Sequence, residues 1–121
     1  MGVEIPGSEL QVVEKKGVTF YKVCISFTKS NKRGWMMLKR YSEFSDLDEK
    51  LKLKYANTPK LPGKSLSYFQ KMDQEQLEER RVGLEQYLKS LINRRDMRAS
   101  DLFRSFLEIN DRFPQSKNHH A

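Results

Sequence analysis

Tyr21, Val23, Ile25 and Phe27 alternate with Lys22, Cys24 and Ser26, and this period of two predicts a half-buried strand. Ahead of it, Leu10-Gln11-Val12-Val13-Glu14 reads as a partner strand. The pair folds back through Lys15-Lys16-Gly17, where glycine tolerates positive φ. The polar connection Thr28-Lys29-Ser30-Asn31-Lys32-Arg33-Gly34 leads into a third short strand, Trp35–Arg40. Three successive strands with short connections predict an antiparallel meander. The period then changes: Phe44, Leu47, Leu51 and Tyr55 recur at three and four, with Ser42 placed to cap a first helix. Residues 58–72 contain Pro59, Pro62 and Gly63 and are predicted to be an irregular loop, because proline removes a backbone donor and restricts the residue before it. Asp73 and Gln76 form a capping-box pattern ahead of a longer helix striped by Leu77, Leu84, Leu88 and Leu91, which Gly83 interrupts. Ser100 caps a last short helix carrying Leu102, Phe103, Phe106 and Leu107, ending before Pro114. Strands first and helices afterwards predict an α+β fold, a three-stranded antiparallel β-meander packed against a helical subdomain of three or more helices. We expect one domain over 1–121 with its core at about 10–113, and flexible ends at 1–9 and 114–121.

With 121 residues, 37% of them hydrophobic, the chain can bury one modest core. The 23 Lys and Arg against 16 Asp and Glu give a net charge of +7, which favours an anionic partner: nucleic acid, membrane or acidic protein. The longest strongly apolar run, Trp35-Met36-Met37-Leu38, is far shorter than the roughly 20 residues of a membrane-spanning helix. A single cysteine, Cys24, excludes an intrachain disulfide and a Cys-x-x-Cys site. It reads as a small buried filler in an intracellular framework. No secretory leader is read at the start, and Pro6 stands where a myristoylation signal needs Ser or Thr.

Catalytic chemistry finds little support. Both histidines, His119 and His120, lie in the polar tail, and Cys24 lies inside a strand pattern, so no nucleophile–base pair emerges. The acidic groups Asp46, Asp48 and Glu49, and Glu75, Glu78, Glu79 and Glu85, fall at helical positions and read as solvated faces. We therefore expect no enzyme, metal or cofactor. Nucleic acid is not the expected partner either, because no RNP aromatics, zinc-ligand spacing or recognition helix is found.

The segment Lys39-Arg40-Tyr41-Ser42-Glu43-Phe44 follows a Trp-led strand, and Pro59-Lys60-Leu61-Pro62-Gly63-Lys64 follows the first helix. Further on stand Glu79-Arg80-Arg81-Val82-Gly83-Leu84-Glu85-Gln86-Tyr87-Leu88 and Phe103-Arg104-Ser105-Phe106-Leu107-Glu108. In this order the four pieces resemble the phosphoinositide-binding phox-homology (PX) domain, from about Leu10 to Phe113. The resemblance implies that Arg40 grips the 3-phosphate of phosphatidylinositol 3-phosphate, a group carrying about −1.5 to −2 charges that a guanidinium can meet with two parallel hydrogen bonds. It implies that Tyr41 supplies an aromatic floor to the sugar ring with its hydroxyl free for a polar partner, and that Lys64 approaches the 1-phosphate. By family spacing Arg80 bonds the 4- and 5-hydroxyls. Periodicity alone points instead to Arg81, four after Leu77 and seven before Leu88. The resemblance further implies that Leu66, Tyr68 and Phe69 enter the bilayer interface beside Lys71, although Leu66 and Phe69 read equally well as folding back onto the core. Lys15, Lys16, Lys29, Lys32 and Arg33 add nonspecific attraction to an anionic membrane or simply occupy solvated turns. The implied protein is a cytoplasmic, peripheral module on endosomal membranes. The alternative is a protein-interaction module on the same fold, using the Pro59-x-x-Pro62 loop or the acidic helix face.

Overall fold

The computed structural model describes residues 1–27, 33–63 and 73–112. Three strands, β1 (Gly2–Val13), β2 (Lys16–Ser26) and β3 (Trp35–Arg40), form one antiparallel sheet in the order β1-β2-β3. The helices follow: α1 (Tyr41–Lys54), α2 (Gln74–Ile92), α3 (Arg95–Arg98), α4 (Asp101–Phe106) and α5 (Ile109–Arg112). The α+β meander predicted from the periodicity is thus the observed architecture. Tyr21, Val23 and Ile25 point into the core with Phe44, Leu47 and Leu51 of α1, Leu84, Leu88 and Leu91 of α2, and Phe103 of α4.

Four local expectations change. The first strand reaches back to Gly2, so the segment 1–9, expected to be a flexible end, is part of the sheet and buries Val3 and Ile5. Its register shifts between Glu4 and Gly7, around Pro6, which has no N–H for a ladder. The turn back to β2 places positive φ on Glu14 and Lys15 rather than on Gly17, giving a two-residue connection between the paired Val13 and Lys16. The first helix starts two residues earlier than a Ser42 cap would place it: Arg40 is the cap, and its N–H donates to Glu43 Oε1 at 2.9 Å. Cys24, on the sheet face away from the helices, is half-buried rather than core.

The other caps follow the sequence. Asp73 accepts from the Gln76 N–H at 2.8 Å while the Gln76 side chain accepts from the Asp73 N–H at 3.1 Å, and the Ser100 hydroxyl accepts from Phe103 N at 3.5 Å. Two glycines owe their identity to close approach. A Cβ at Gly34 would lie 1.9 Å from the Ile25 carbonyl oxygen, and one at Gly83 would lie 2.7 Å from Pro62 Cγ. Gly83 therefore lets the proline loop lie on α2. Trp35 at the sheet's far edge donates from Nε1 to the Leu107 carbonyl at 3.1 Å, closing the short helices against β3.

Candidate functional site

Strand β3 runs directly into α1, and its alternation sorts two neighbouring cations. Lys39 pairs opposite Tyr21 on the core side, where its ammonium lies 3.8 Å from both Glu43 and Glu108 carboxylates and 4.9 Å from the Phe106 ring centre. Arg40 pairs opposite Phe20 on the other side, with its guanidinium 6.0 Å from that ring. Among the described residues no carboxylate is paired with Arg40. One position separates a committed cation from an available one.

The next residue, Tyr41, is half-buried, and its hydroxyl donates to the Pro62 carbonyl. The polar partner of this hydroxyl is the backbone of the proline loop. Arg80 approaches from α2 with its guanidinium 4.1 Å from the Tyr41 ring centre and donates from Nη2 to the Gly63 carbonyl at 3.1 Å. It also hydrogen-bonds the hydroxyl of buried Tyr21. Burial pushes both Tyr21 and Tyr41 above the ordinary tyrosine range, and the Arg80 charge pulls partly against that shift.

Arg81, one step around the helix, does a different job. It donates from Nη1 to the Ile5 carbonyl at 2.5 Å and forms an ion pair with Glu78, while the Ile5 N–H donates to Glu85 Oε2 at 2.7 Å. The Ile5 groups that the β1 irregularity turns away from the ladder are thus satisfied by side chains of α2. The hydrogen bond from Arg81 holds the Glu78 carboxyl below its usual range. The periodicity that favoured Arg81 had found the residue fastening α2 to the sheet; Arg80 is the one at the pocket.

Arg40, Tyr41 and Arg80 meet at one cavity of about 430 Å³, walled on its other side by Lys16, Thr19 and Tyr21 of β2 and by Leu77 of α2. Among the described residues its lining carries three cations, Lys16, Arg40 and Arg80, and no carboxylate. A second cavity, about 470 Å³ between α1 and α4, carries Lys39 and Lys50 but also Glu43, Asp46 and Asp101, so its charge does not favour an anion. From the sequence Lys16 reads as a source of nonspecific attraction or a solvated turn residue, not as part of the pocket. Its one legible signal is its place at the hairpin's return, opposite the strand end that carries Arg40. Lys64, Leu66, Tyr68 and Phe69 lie outside the described residues, as do Lys29, Lys32, Lys71 and the histidine tail.

Asp48 was read as part of a solvated face, yet it is buried and accepts from the Tyr87 hydroxyl at 2.8 Å and from Lys52 at 2.7 Å. Its spacing from Phe44, Leu47 and Leu51 could have shown this, since four, one and three residues put it on the apolar stripe. Burial first, and then the Asp48 hydrogen bond, raise the Tyr87 hydroxyl far above its ordinary range.

A cavity at the meeting of sheet, first helix and long helix whose described lining carries three cations and no carboxylate suits an anion. The sequence model of the PX domain matches residues 27–110, and the chain belongs to this family of phosphoinositide-binding modules. It is 30% identical over 115 residues to the serine/threonine-protein kinase Sgk3 of Rattus norvegicus, a match covering 94% of this chain and 22% of that protein. With sorting nexin-24 of Homo sapiens it shares 35% identity over 111 residues, covering 90% of this chain and 60% of the relative. The X-ray structure of a designed CISK-PX domain superposes with a TM-score of 0.78 at 31% identity, over 89% of this chain and 99% of that one. The chain thus spans about a fifth of the kinase relative's length and three fifths of the sorting nexin's. Among the described residues no helix is long and apolar enough to cross a membrane, and the family associates with membranes peripherally.

Proposed function

We propose that the cavity binds the headgroup of phosphatidylinositol 3-phosphate and that the domain brings the protein carrying it to endosomal membranes. The observation that supports this reading is the convergence of Lys16, Arg40 and Arg80 on one cavity that has no carboxylate among its described lining residues. The Arg40 guanidinium, with which no carboxylate is paired among the described residues, keeps its planar fork available for a phosphomonoester. In this reading Arg40 takes the 3-phosphate. Arg80, held by the Gly63 carbonyl and the Tyr41 ring, faces the 4- and 5-hydroxyls. Tyr41 offers the sugar the ring face that Arg80 does not cover. Lys64, the residue after Gly63, meets the 1-phosphate, and Leu66, Tyr68 and Phe69 enter the bilayer interface.

The test is vesicle sedimentation across the singly and multiply phosphorylated phosphoinositides with wild type and Arg40→Ala. Wild type should prefer the 3-phosphate lipid, and the variant should lose that preference while melting within about 2 °C of wild type, because Arg40 is exposed and holds no core group. Equal capture of both proteins would remove Arg40 from the site. Indifference of the wild type to every phosphoinositide would favour use of the fold as a protein-interaction module.

A further inference from the structure

We propose that Tyr21 is a positioning residue for headgroup recognition: its hydroxyl fixes the orientation of Arg80, and so sets the discrimination between an inositol with hydroxyls at the 4- and 5-positions and one with a phosphate there. This holds on the reading that the cavity takes an inositol headgroup. Tyr21 is 1% exposed, yet it lines the cavity together with Arg80. Contacts from separate parts of the chain hold the Arg80 guanidinium. Its central carbon lies 4.1 Å from the Tyr41 ring centre, the Gly63 carbonyl accepts from Nη2 at 3.1 Å, and the Tyr21 hydroxyl accepts a further hydrogen bond. These contacts restrain it differently. A ring beneath the guanidinium sets the height of its plane and leaves it free to turn within that plane. One hydrogen bond at Nη2 fixes a corner and leaves a pivot. A second acceptor, on a different element, removes the rotation.

The Tyr21 acceptor also has the firmer mount. Gly63 stands in the proline loop, outside any helix or strand, whereas Tyr21 sits in the middle strand of the sheet, paired with Ser8 on one side and Lys39 on the other. Its ring meets Phe44 edge-on, with centres 6.2 Å apart and planes at 89°. The preceding residue, Phe20, pairs with Arg40. One stretch of β2 therefore serves as the reference for both guanidiniums, and the sheet sets their separation across the cavity. Packing alone asks only for the ring, which phenylalanine would supply equally well; what the hydroxyl adds is its bond to Arg80. A guanidinium held still is placed for hydroxyls at the 4- and 5-positions, while a phosphate at either position requires it to swing aside. Freed from Tyr21, it can follow the larger group, so restraint acts against the wrong headgroup as much as for the right one.

The full chain and its Tyr21→Phe variant are titrated calorimetrically with inositol 1,3-bisphosphate and with inositol 1,3,4- and 1,3,5-trisphosphate. Tyr21→Phe should bind the bisphosphate about fivefold more weakly than wild type, while its affinity for either trisphosphate changes by less than about twofold, so the preference narrows. An equal loss for all three headgroups would mean that the variant damages the pocket as a whole, and unchanged affinities would mean that the hydroxyl plays no part. Either result overturns the inference and leaves the proposed function standing. A wild type that binds none of the three brings down the proposed function, and this inference with it. A second measurement needs no ligand. Nitrogen-15 relaxation of the Arg80 Nε–H should show order close to that of the backbone in wild type, falling in Tyr21→Phe toward the value of the exposed Arg95. Should Tyr21→Phe fail to fold, the wild-type relaxation decides, and an Arg80 as mobile as Arg95 is the contrary result.

Discussion

Replacing Gly83 with alanine tests whether the pocket depends on the seat of the proline loop. The new Cβ would stand 2.7 Å from Pro62 Cγ, about 0.7 Å inside the shortest ordinary contact of 3.4 Å, and the obstacle is a proline ring tied to backbone rather than the free end of a side chain. The loop must move outward by about that distance. Pro62 accepts from the Tyr41 hydroxyl, and the next carbonyl, Gly63, accepts from Arg80 at 3.1 Å. Displacing the latter by 0.7 Å takes it out of hydrogen-bond range. Two stability effects oppose each other: alanine gains about 1 kcal/mol over glycine inside a helix, while overpacking costs about 1–3 kcal/mol. The melting temperature should therefore fall by only a few degrees, taking about 4–8 °C per kcal/mol for a domain near 100 residues. Binding has no such compensation. A misplaced Arg80 forfeits a charged hydrogen bond of about 1.5–3 kcal/mol, so calorimetry with inositol 1,3-bisphosphate should show affinity about tenfold or more below wild type. A melting temperature raised by 4 °C or more, with binding untouched, would refute the reasoning, because it would mean that the helix gain arrives without a clash and that the loop's seat is irrelevant to Arg80.

The adjacent arginines should separate cleanly. Arg81→Met should lower the melting temperature by several degrees, because the Ile5 carbonyl loses its donor, and should keep headgroup binding, whereas Arg80→Met should do the reverse; thermal melts and calorimetry on both proteins decide. The raised tyrosines set the alkaline behaviour. Tyr21, Tyr41 and Tyr87 hold their protons in the folded state above the pH near 10 at which the unfolded chain releases them. Their contribution to stability is therefore complete below about pH 10 and is lost as pH rises beyond it, so melting temperatures should decline from pH 9.5 to 11. Tyr87→Phe, although less stable at pH 7 for lack of the Asp48 bond, should decline less steeply; an identical slope would remove Tyr87 from the account.

What the sequence revealed depended on how local each cause was. The alternation of β2, the stripe of α2 and the caps at Asp73 and Ser100 arise within a few residues of one another and were readable. The start of β1 was hidden, because Pro6 and Gly7 break the alternation and the Ile5 backbone is satisfied by Glu85 and Arg81, eighty and seventy-six residues away. The choice between Arg80 and Arg81 was open for the same reason: a helical wheel shows which residue faces the protein, but not whether it meets the sheet or the cavity. Arg40 and Tyr41 were marked by their motif, while Lys16 carries no local mark and joins them only because β2 folds back beside the end of β3. Gly83 looked like a flaw in a helix until Pro62 appeared above it.

Because Lys39 and Arg40 face opposite sides of β3, their division of labour is a matter of parity. Removing or adding a single residue between Trp35 and Leu38 would leave every letter of the motif present and exchange the two, sending the arginine toward Glu108 and the lysine to the ligand. The domain should consequently forgive many changes of side chain from Trp35 to Leu38 and almost no change of length, so one-residue deletions there should silence recognition where alanines at the same four positions do not.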